Sequence, residues 1–164
     1  MFGKKVIHVV DDRVDWSAGA RGALWGPVIA ISTFGEITMT SVNTMVDNVK
    51  TEIGTGRKMD ILRIADHGNR DGLELGDDWI TAVNFATYAP KLGELRSYFN
   101  NNGIAHFLNC LVGNNTGLLH QFAVTWNVTI YGGTGLTNGF RMNGGEWVSV
   151  TPGGVITQNV SWPD

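Results

Sequence analysis

Short apolar runs rich in β-branched residues alternate with amphipathic segments along most of this chain of 164 residues. The runs have the length of buried strands, and the amphipathic segments repeat their apolar residues at helical spacing. Helices are predicted at 42–54, 90–103 and 116–126, and strands at 4–10, 28–33, 36–41, 59–66, 104–109 and 128–133. This alternation predicts an α/β fold, a three-layer α/β/α sandwich around a mostly parallel sheet.

Several element ends carry their own signals. Ser41 is a good N-cap for the first predicted helix, and Gly54 is a good terminator for it. A small hairpin is predicted at 72–80, and a C-terminal β-hairpin at 145–160, where Pro152 and two glycines form the turn.

Composition narrows the class of protein. Hydrophobic residues make up 43% and charged residues 16% of the chain, and the formal net charge is −3. Scattered lysines and arginines do not form the basic surface of a protein that binds nucleic acid or an anionic membrane. No apolar stretch approaches the length of about 20 residues that spans a membrane, and the single cysteine excludes an internal disulfide framework. We expect one cytoplasmic domain over 1–164, or a protein exported without a classical signal peptide.

Two predicted neighbouring strands end at reactive side chains. His67 follows "ILRIAD", and Cys110 follows "IAHFLN". One helix separates these strands, so a right-handed crossover makes them neighbours whose carboxyl ends share one edge of the sheet. An adjacent imidazole, or the N-terminus of the helix that starts near Asn115, favours the nucleophilic thiolate. A lone cysteine at a strand end is usually a small buried hydrophobe, so the argument depends on its pairing with His67.

With these motifs the sequence resembles the caspase-like fold of clan CD cysteine peptidases, nearest the bacterial CHAT-like and DUF4347-type branch. Members share an apolar strand ending in His-Gly and, about forty residues later, an apolar strand ending in the catalytic cysteine. Here the two residues stand 43 positions apart, and the resemblance covers roughly residues 59–135.

The resemblance implies a role for each matching residue. His67 would be the general base and acid, and Cys110 the nucleophile of an acyl-enzyme mechanism that needs no metal and no cofactor. The backbone N–H groups of Gly68 and Cys110 would form the oxyanion hole. Gly133, Thr134 and Gly135 would line the pocket for the substrate residue before the scissile bond.

The sequence also departs from the family pattern. Caspases have glutamine, and legumains an acid, two residues before the nucleophile, where this chain has Leu108, followed by Asn109. The expected substrate is therefore a protein or peptide with a small or apolar residue before the cleaved bond. No nucleic acid or membrane partner is expected, and a homodimer or an activating partner stays open.

Two other functions remain open. The chain is alternatively an inactive caspase-like module that acts in protein binding or assembly, or an α/β ligand-binding domain. His106 is interpreted as a core histidine. The acids Asp71, Glu74, Asp77 and Asp78 are interpreted as a solvated hairpin rather than a cation site.

Overall fold

The computed structural model describes residues 4–11, 36–137 and 143–163. Within them, the helices are α1 (Val42–Ile53), α2 (Phe85–Gly93) and α3 (Thr116–Trp126). The strands are β1 (Val6–Asp11), β2 (Glu36–Met39), β3 (Met59–Ala65), β4 (Gly72–Leu75), β5 (Asp78–Thr81), β6 (Phe99–Phe107), β7 (Thr129–Gly133), β8 (Trp147–Val150) and β9 (Ile156–Thr157).

Seven of these strands form one sheet in the order β2-β1-β3-β6-β7-β8-β9. The first five strands in this order are parallel, whereas β8 and β9 pair antiparallel. β4 and β5 form a separate antiparallel hairpin. The predicted α/β fold with a mostly parallel sheet and a C-terminal hairpin is therefore confirmed.

One face of the sheet and the three described helices enclose the main core. Alternate residues of the central strands point to this face, where Leu62 of β3 and Phe107 of β6 are fully buried. They meet α3 through Phe122 and Trp126, whose rings pack against that of Phe107. Burying such side chains stabilises the fold by about 1.5–3 kcal/mol each. The helices thereby fix one side of the sheet, and none of them is long and apolar enough to cross a membrane.

The other face carries buried polar side chains. His8, Arg63 and His106 are register partners on β1, β3 and β6. The Arg63 guanidinium lies 5.0 Å from the ring centre of Trp162, and the His106 ring lies 4.6 Å from those of Trp147 and Trp162. Burial, and then the charge of Arg63, lower the pKa of both histidines, that of His8 to about 4. As predicted, His106 is a core residue.

Local signals placed most helix and turn positions correctly. The Ser41 side chain caps α1 by accepting a hydrogen bond from the Thr44 N–H. Gly76, with φ 64°, forms the turn between β4 and β5, where an added Cβ would lie 2.1 Å from a Thr40 backbone atom. Only glycine fits this turn.

The helix predicted at 90–103 is wrong. The helix in this region is α2, which contains Pro90, and it ends ten residues before the predicted terminus, at Gly93. A short 3-10 turn follows, and β6 then begins at Phe99, five residues earlier than predicted. The apolar residues of this segment are buried, but they do not share one helix: Leu92 lies in α2, Leu95 precedes the 3-10 turn and Phe99 begins β6. The predicted strand at 28–33 lies outside the described residues.

Candidate active site

His67 and Cys110 lie at the carboxyl ends of adjacent parallel strands. β3 and β6 pair with Ile64 opposite Phe107, and the Leu108 N–H donates to the Ile64 carbonyl at 2.8 Å. Continuing this register by three residues brings His67 level with Cys110. The predicted crossover therefore joins the two strand ends at one edge of the sheet.

Close packing joins the His67 loop to the Cys110 loop. A Cβ added to Gly68 would lie 2.9 Å from the Asn109 Cβ and 3.0 Å from the Cys110 carbonyl oxygen. The buried Asn109 amide donates to the carbonyl oxygens of His67, at 2.8 Å, and Glu74, at 3.0 Å. The glycine of the His-Gly motif is thus required for the two backbones to approach each other.

The thiol of Cys110 is half-buried against Thr137. Its Sγ lies 3.8 Å from the Thr137 carbonyl oxygen and 3.9 Å from the Thr137 hydroxyl, which itself donates to the Leu108 carbonyl. Leu111 follows in the left-handed conformation, with φ 64°, and donates its N–H to Gly135 at 2.9 Å. A left-handed non-glycine residue is strained, and such strain concentrates at functional sites.

The His67 imidazole is exposed to solvent. Within the described part of the chain it makes no hydrogen bond, either to Cys110 or to another residue. Contacts between a nucleophile and its base are often loose in a free enzyme and tighten when substrate binds. The strand ends therefore bring the two residues to one edge of the sheet, and imidazole and thiol are not hydrogen-bonded to each other there.

Two backbone donors remain available at this edge of the sheet. Gly68 and Leu73 form an isolated antiparallel bridge, whose hydrogen bonds are made by the flanking residues, Glu74 N–H to His67 and Asn69 N–H to Gly72. Among the described residues, the N–H groups of Gly68 and Cys110 donate to no acceptor. Unused N–H groups near a nucleophile are what an oxyanion hole requires.

The predicted pocket residues differ in their exposure. Leu108 and Asn109 are buried; Leu108 packs with the apolar residues Val10, Ala65, Trp147, Val160 and Trp162, and Asn109 holds the His67 loop. The glycine-rich segment 133–135 is bonded to the residue that follows Cys110, because the Gly135 carbonyl accepts the Leu111 N–H.

A cluster of three carboxyl groups includes Asp66, the residue that precedes His67. Oxygen atoms of Asp11, Asp66 and Glu74 lie within 4.8 Å of one another, and both aspartates are buried. Asp66 accepts the N–H of His67 at 2.7 Å and that of Gly76 at 2.8 Å. Burial raises the pKa of Asp66 to about 7; the two backbone bonds lower it, and the charge and hydrogen bond of Asp11 raise it further. Like charges this close in a buried site favour a proton on one of the carboxyl groups.

Residues 30–161 match a protein family described as a domain of unknown function, DUF4347. The chain belongs to the DUF4347 family. The match includes His67, Cys110, Asp66 and Glu74, whereas Asp11 lies before it. No curated protein matches the chain.

Sequence patterns did not single out Asp11, Asp66 or Thr137 in this DUF4347 domain. A signal for the two aspartates exists, because each follows or ends a strand and β1 is the neighbour of β3. The carboxyl ends of parallel strands meet at one edge of the sheet, and this rule brings the two aspartates together as it does His67 and Cys110. Thr137 had no such signal, since the path of the glycine-rich segment after β7 cannot be read from the sequence.

A surface pocket of about 670 Å³ lies at the opposite edge of the sheet of this DUF4347 domain, beside the amino ends of β3, β6 and β7. Its lining includes Lys58, Arg96 and Asn127, and no cysteine or histidine. Ligands of parallel sheets bind at the carboxyl ends of the strands. The His67–Cys110 edge is therefore the stronger candidate for chemistry.

Proposed function

We propose that this DUF4347 domain is a cysteine endopeptidase of caspase-like, three-layer fold, with Cys110 as nucleophile and His67 as general base and acid. The supporting observation is the parallel pairing of β3 and β6, because these two residues follow the carboxyl ends of the two strands at one edge of the sheet. The close approach of Gly68 to the Cys110 carbonyl supports the same arrangement.

Each step of the proposed reaction uses a group at this edge. His67 accepts the thiol proton, and Sγ of Cys110 attacks the carbonyl carbon of the scissile peptide. The oxyanion that forms is stabilised by the unused N–H groups of Gly68 and Cys110. His67 then protonates the leaving amine, which leaves a thioester, and water activated by His67 hydrolyses that thioester to the carboxylic acid.

The proposed substrate is a protein or peptide. Segment 133–135, bonded to the loop that follows Cys110, is the proposed wall of the pocket for the residue before the scissile bond. Leu108 supplies an apolar base beneath this edge instead of a charge. A small or apolar residue therefore fits this pocket better than a charged one, because a buried charge needs a partner.

An inactive caspase-like module is the second candidate. The observation in its favour is the state of the pair: the Cys110 thiol faces the Thr137 carbonyl, and the His67 imidazole is exposed without a hydrogen bond among the described residues. Such a module would use the same fold to bind a partner without chemistry.

A peptide-library digest tests the enzyme proposal. The wild type should release fragments, and Cys110→Ala and His67→Ala should not. His120→Ala is the matched control, since His120 bonds the Pro152 carbonyl away from this edge, and its activity should be retained. Cleavage that persists in Cys110→Ala contradicts the proposal. So does a peptidyl electrophile that labels Cys110 no faster than iodoacetamide does, a result that favours the inactive module.

A further inference from the structure

The carboxyl group of Asp66 links three parts of the candidate site. One oxygen accepts the N–H of His67 and the other accepts the N–H of Gly76, the turn residue of the β4–β5 hairpin. Asp66 directly follows β3, so its backbone position is set by the sheet. The carboxyl thereby ties both the backbone of His67 and the hairpin above it to the end of a buried strand.

A buried carboxyl needs support from its neighbours. Asp11, at the end of β1, is level with Asp66 when the register of Val10 and Ala65 is continued by one residue, and oxygen atoms of the two buried carboxyl groups lie within 4.8 Å of each other. Two carboxyl groups this close in a buried site repel each other when both are ionised, which favours a proton on one of them. Among the described residues, Glu74 of β4 is the other carboxyl group close to Asp66, and His67 is the titratable residue next to it in the chain.

We propose that Asp66 is the positioning residue for His67, held in place by a proton that it shares with Asp11. This inference rests on the proposed function, because it assigns Asp66 the task of orienting the base of the dyad. The Asp66 carboxyl touches neither substrate nor thiol and acts only through the His67 backbone. When the shared proton is lost, the two carboxylates repel each other, and the hold on His67 weakens.

The structure points to a proton rather than a cation between the carboxyl groups. Both oxygens of Asp66 already accept backbone N–H groups at 2.7 and 2.8 Å. The raised pKa of Asp66, caused mainly by burial, keeps the proton available near neutral pH. A cation would instead require all the carboxyl groups to be ionised and oriented toward it.

Three variants of the full chain test this assignment. Asp66→Asn cannot accept both N–H groups. Asp11→Asn keeps a donor toward Asp66 without a titrating proton. Asp60→Asn is the matched control, because Asp60 lies at the opposite end of β3 and accepts the Lys5 N–H at 2.8 Å. The readouts are hydrogen-exchange protection of the His67 N–H and the rate of Cys110 alkylation by iodoacetamide, both followed across pH.

Asp66→Asn should lower the protection of the His67 N–H about tenfold, with a comparable fall in the alkylation rate below neutral pH. Asp60→Asn should change neither. In Asp11→Asn the His67 protection and the alkylation rate should equal those of the wild type near neutral pH. Above about pH 8 the wild type should lose both, whereas Asp11→Asn should retain them. If Asp66→Asn does not fold, the difference between Asp11→Asn and the wild type above about pH 8 still tests the proposal.

Unchanged His67 protection in Asp66→Asn overturns the proposal, as does lost protection with unchanged alkylation. A rise in melting temperature with added Mg²⁺ or Ca²⁺ that Asp66→Asn abolishes would also overturn it, in favour of a cation. A separate result would contradict the proposed function itself, namely an alkylation rate of Cys110 that His67→Ala leaves unchanged. If His67→Ala slows alkylation and Asp66→Asn does not, the result contradicts the positioning role of Asp66 and leaves the dyad standing.

Discussion

Replacing Asp66 by asparagine removes a buried carboxyl while nearly preserving its shape. The amide can accept from only one of the two backbone N–H groups of His67 and Gly76 that the carboxyl satisfies. A buried N–H without an acceptor costs about 1–3 kcal/mol. The variant should therefore be less stable than the wild type near pH 5, and the size of that deficit should depend on pH.

The pH dependence follows from the pKa of Asp66. In the folded protein it is raised from 3.8 to about 7, first by burial and also by Asp11. Between these values the folded chain holds a proton that the unfolded chain has lost, so this contribution to the free energy of unfolding falls as pH rises. A shift of about 3 pKa units corresponds to about 4 kcal/mol, and more than half of this is lost between about pH 5 and about pH 8.

His8 and His106 act in the opposite direction. Burial lowers their pKa values, so below about pH 6.5 the unfolded chain binds protons that the folded chain does not, and their contribution to stability rises with pH. They contribute equally to wild type and variant. The difference between the two proteins therefore isolates Asp66, whereas the total stability curve does not.

Urea unfolding followed by circular dichroism over this pH range measures that difference. The stability advantage of the wild type over Asp66→Asn should shrink by about 2–3 kcal/mol from about pH 5 to about pH 8. Parallel curves, with a constant difference at every pH, would show that Asp66 and Asp11 do not share a proton in the folded protein.

Three further predictions concern single positions. Gly68→Ala should cost about 1–3 kcal/mol in urea unfolding, because the new Cβ would lie 3.0 Å from the Cys110 carbonyl; an unchanged midpoint contradicts this packing. His106→Phe should be more stable than the wild type near pH 5 by up to about 2 kcal/mol and lose that gain above neutral pH, and a pH-independent effect contradicts the buried neutral histidine. Thr137→Val removes the hydroxyl that bonds the Leu108 carbonyl, and should cost about 1 kcal/mol and alter the alkylation rate of Cys110; both values equal to wild type would exclude this contact.

Elements with complete local signals were predicted well. α3 runs from Thr116 to Trp126 as expected, because a polar cap, an apolar stripe and a left-handed residue, Asn127, all mark the same helix. The β4–β5 hairpin follows from one glycine at a turn that admits no side chain. In these segments local preference and tertiary packing agree.

The region around 85–103 shows where sequence reasoning fails. A helix that starts at position 90 would have Pro90 in its first turn, but Pro90 lies inside α2, because the helix already begins at Phe85. The residues after Phe99 contain three asparagines, which favour a helix end or loop, yet β6 starts there and Asn100 bonds Asp60 of β3. Strand pairing with a neighbour distant in sequence overrode the local signal.

The candidate site was predictable only as far as topology reaches. Parallel neighbours place His67 and Cys110 at one edge without any knowledge of side chains. The carboxyl cluster depends on burial and on the fold of the β4–β5 hairpin over the edge, which brings Glu74 to Asp11 and Asp66. The spacing of these residues along the chain shows neither their burial nor the position of the hairpin.

The alkylation rate of Cys110 by iodoacetamide, measured across pH in wild type and His67→Ala, tests the dyad most directly. The dyad predicts rapid alkylation below about pH 7 in the wild type, slowed about tenfold or more by His67→Ala and left unchanged by His120→Ala. Both proteins unfolded in urea should react alike, since the effect depends on the fold. A folded wild type that reacts only as fast as His67→Ala, with a rate that rises near the pH of a free thiol, about 8.5, would contradict the account.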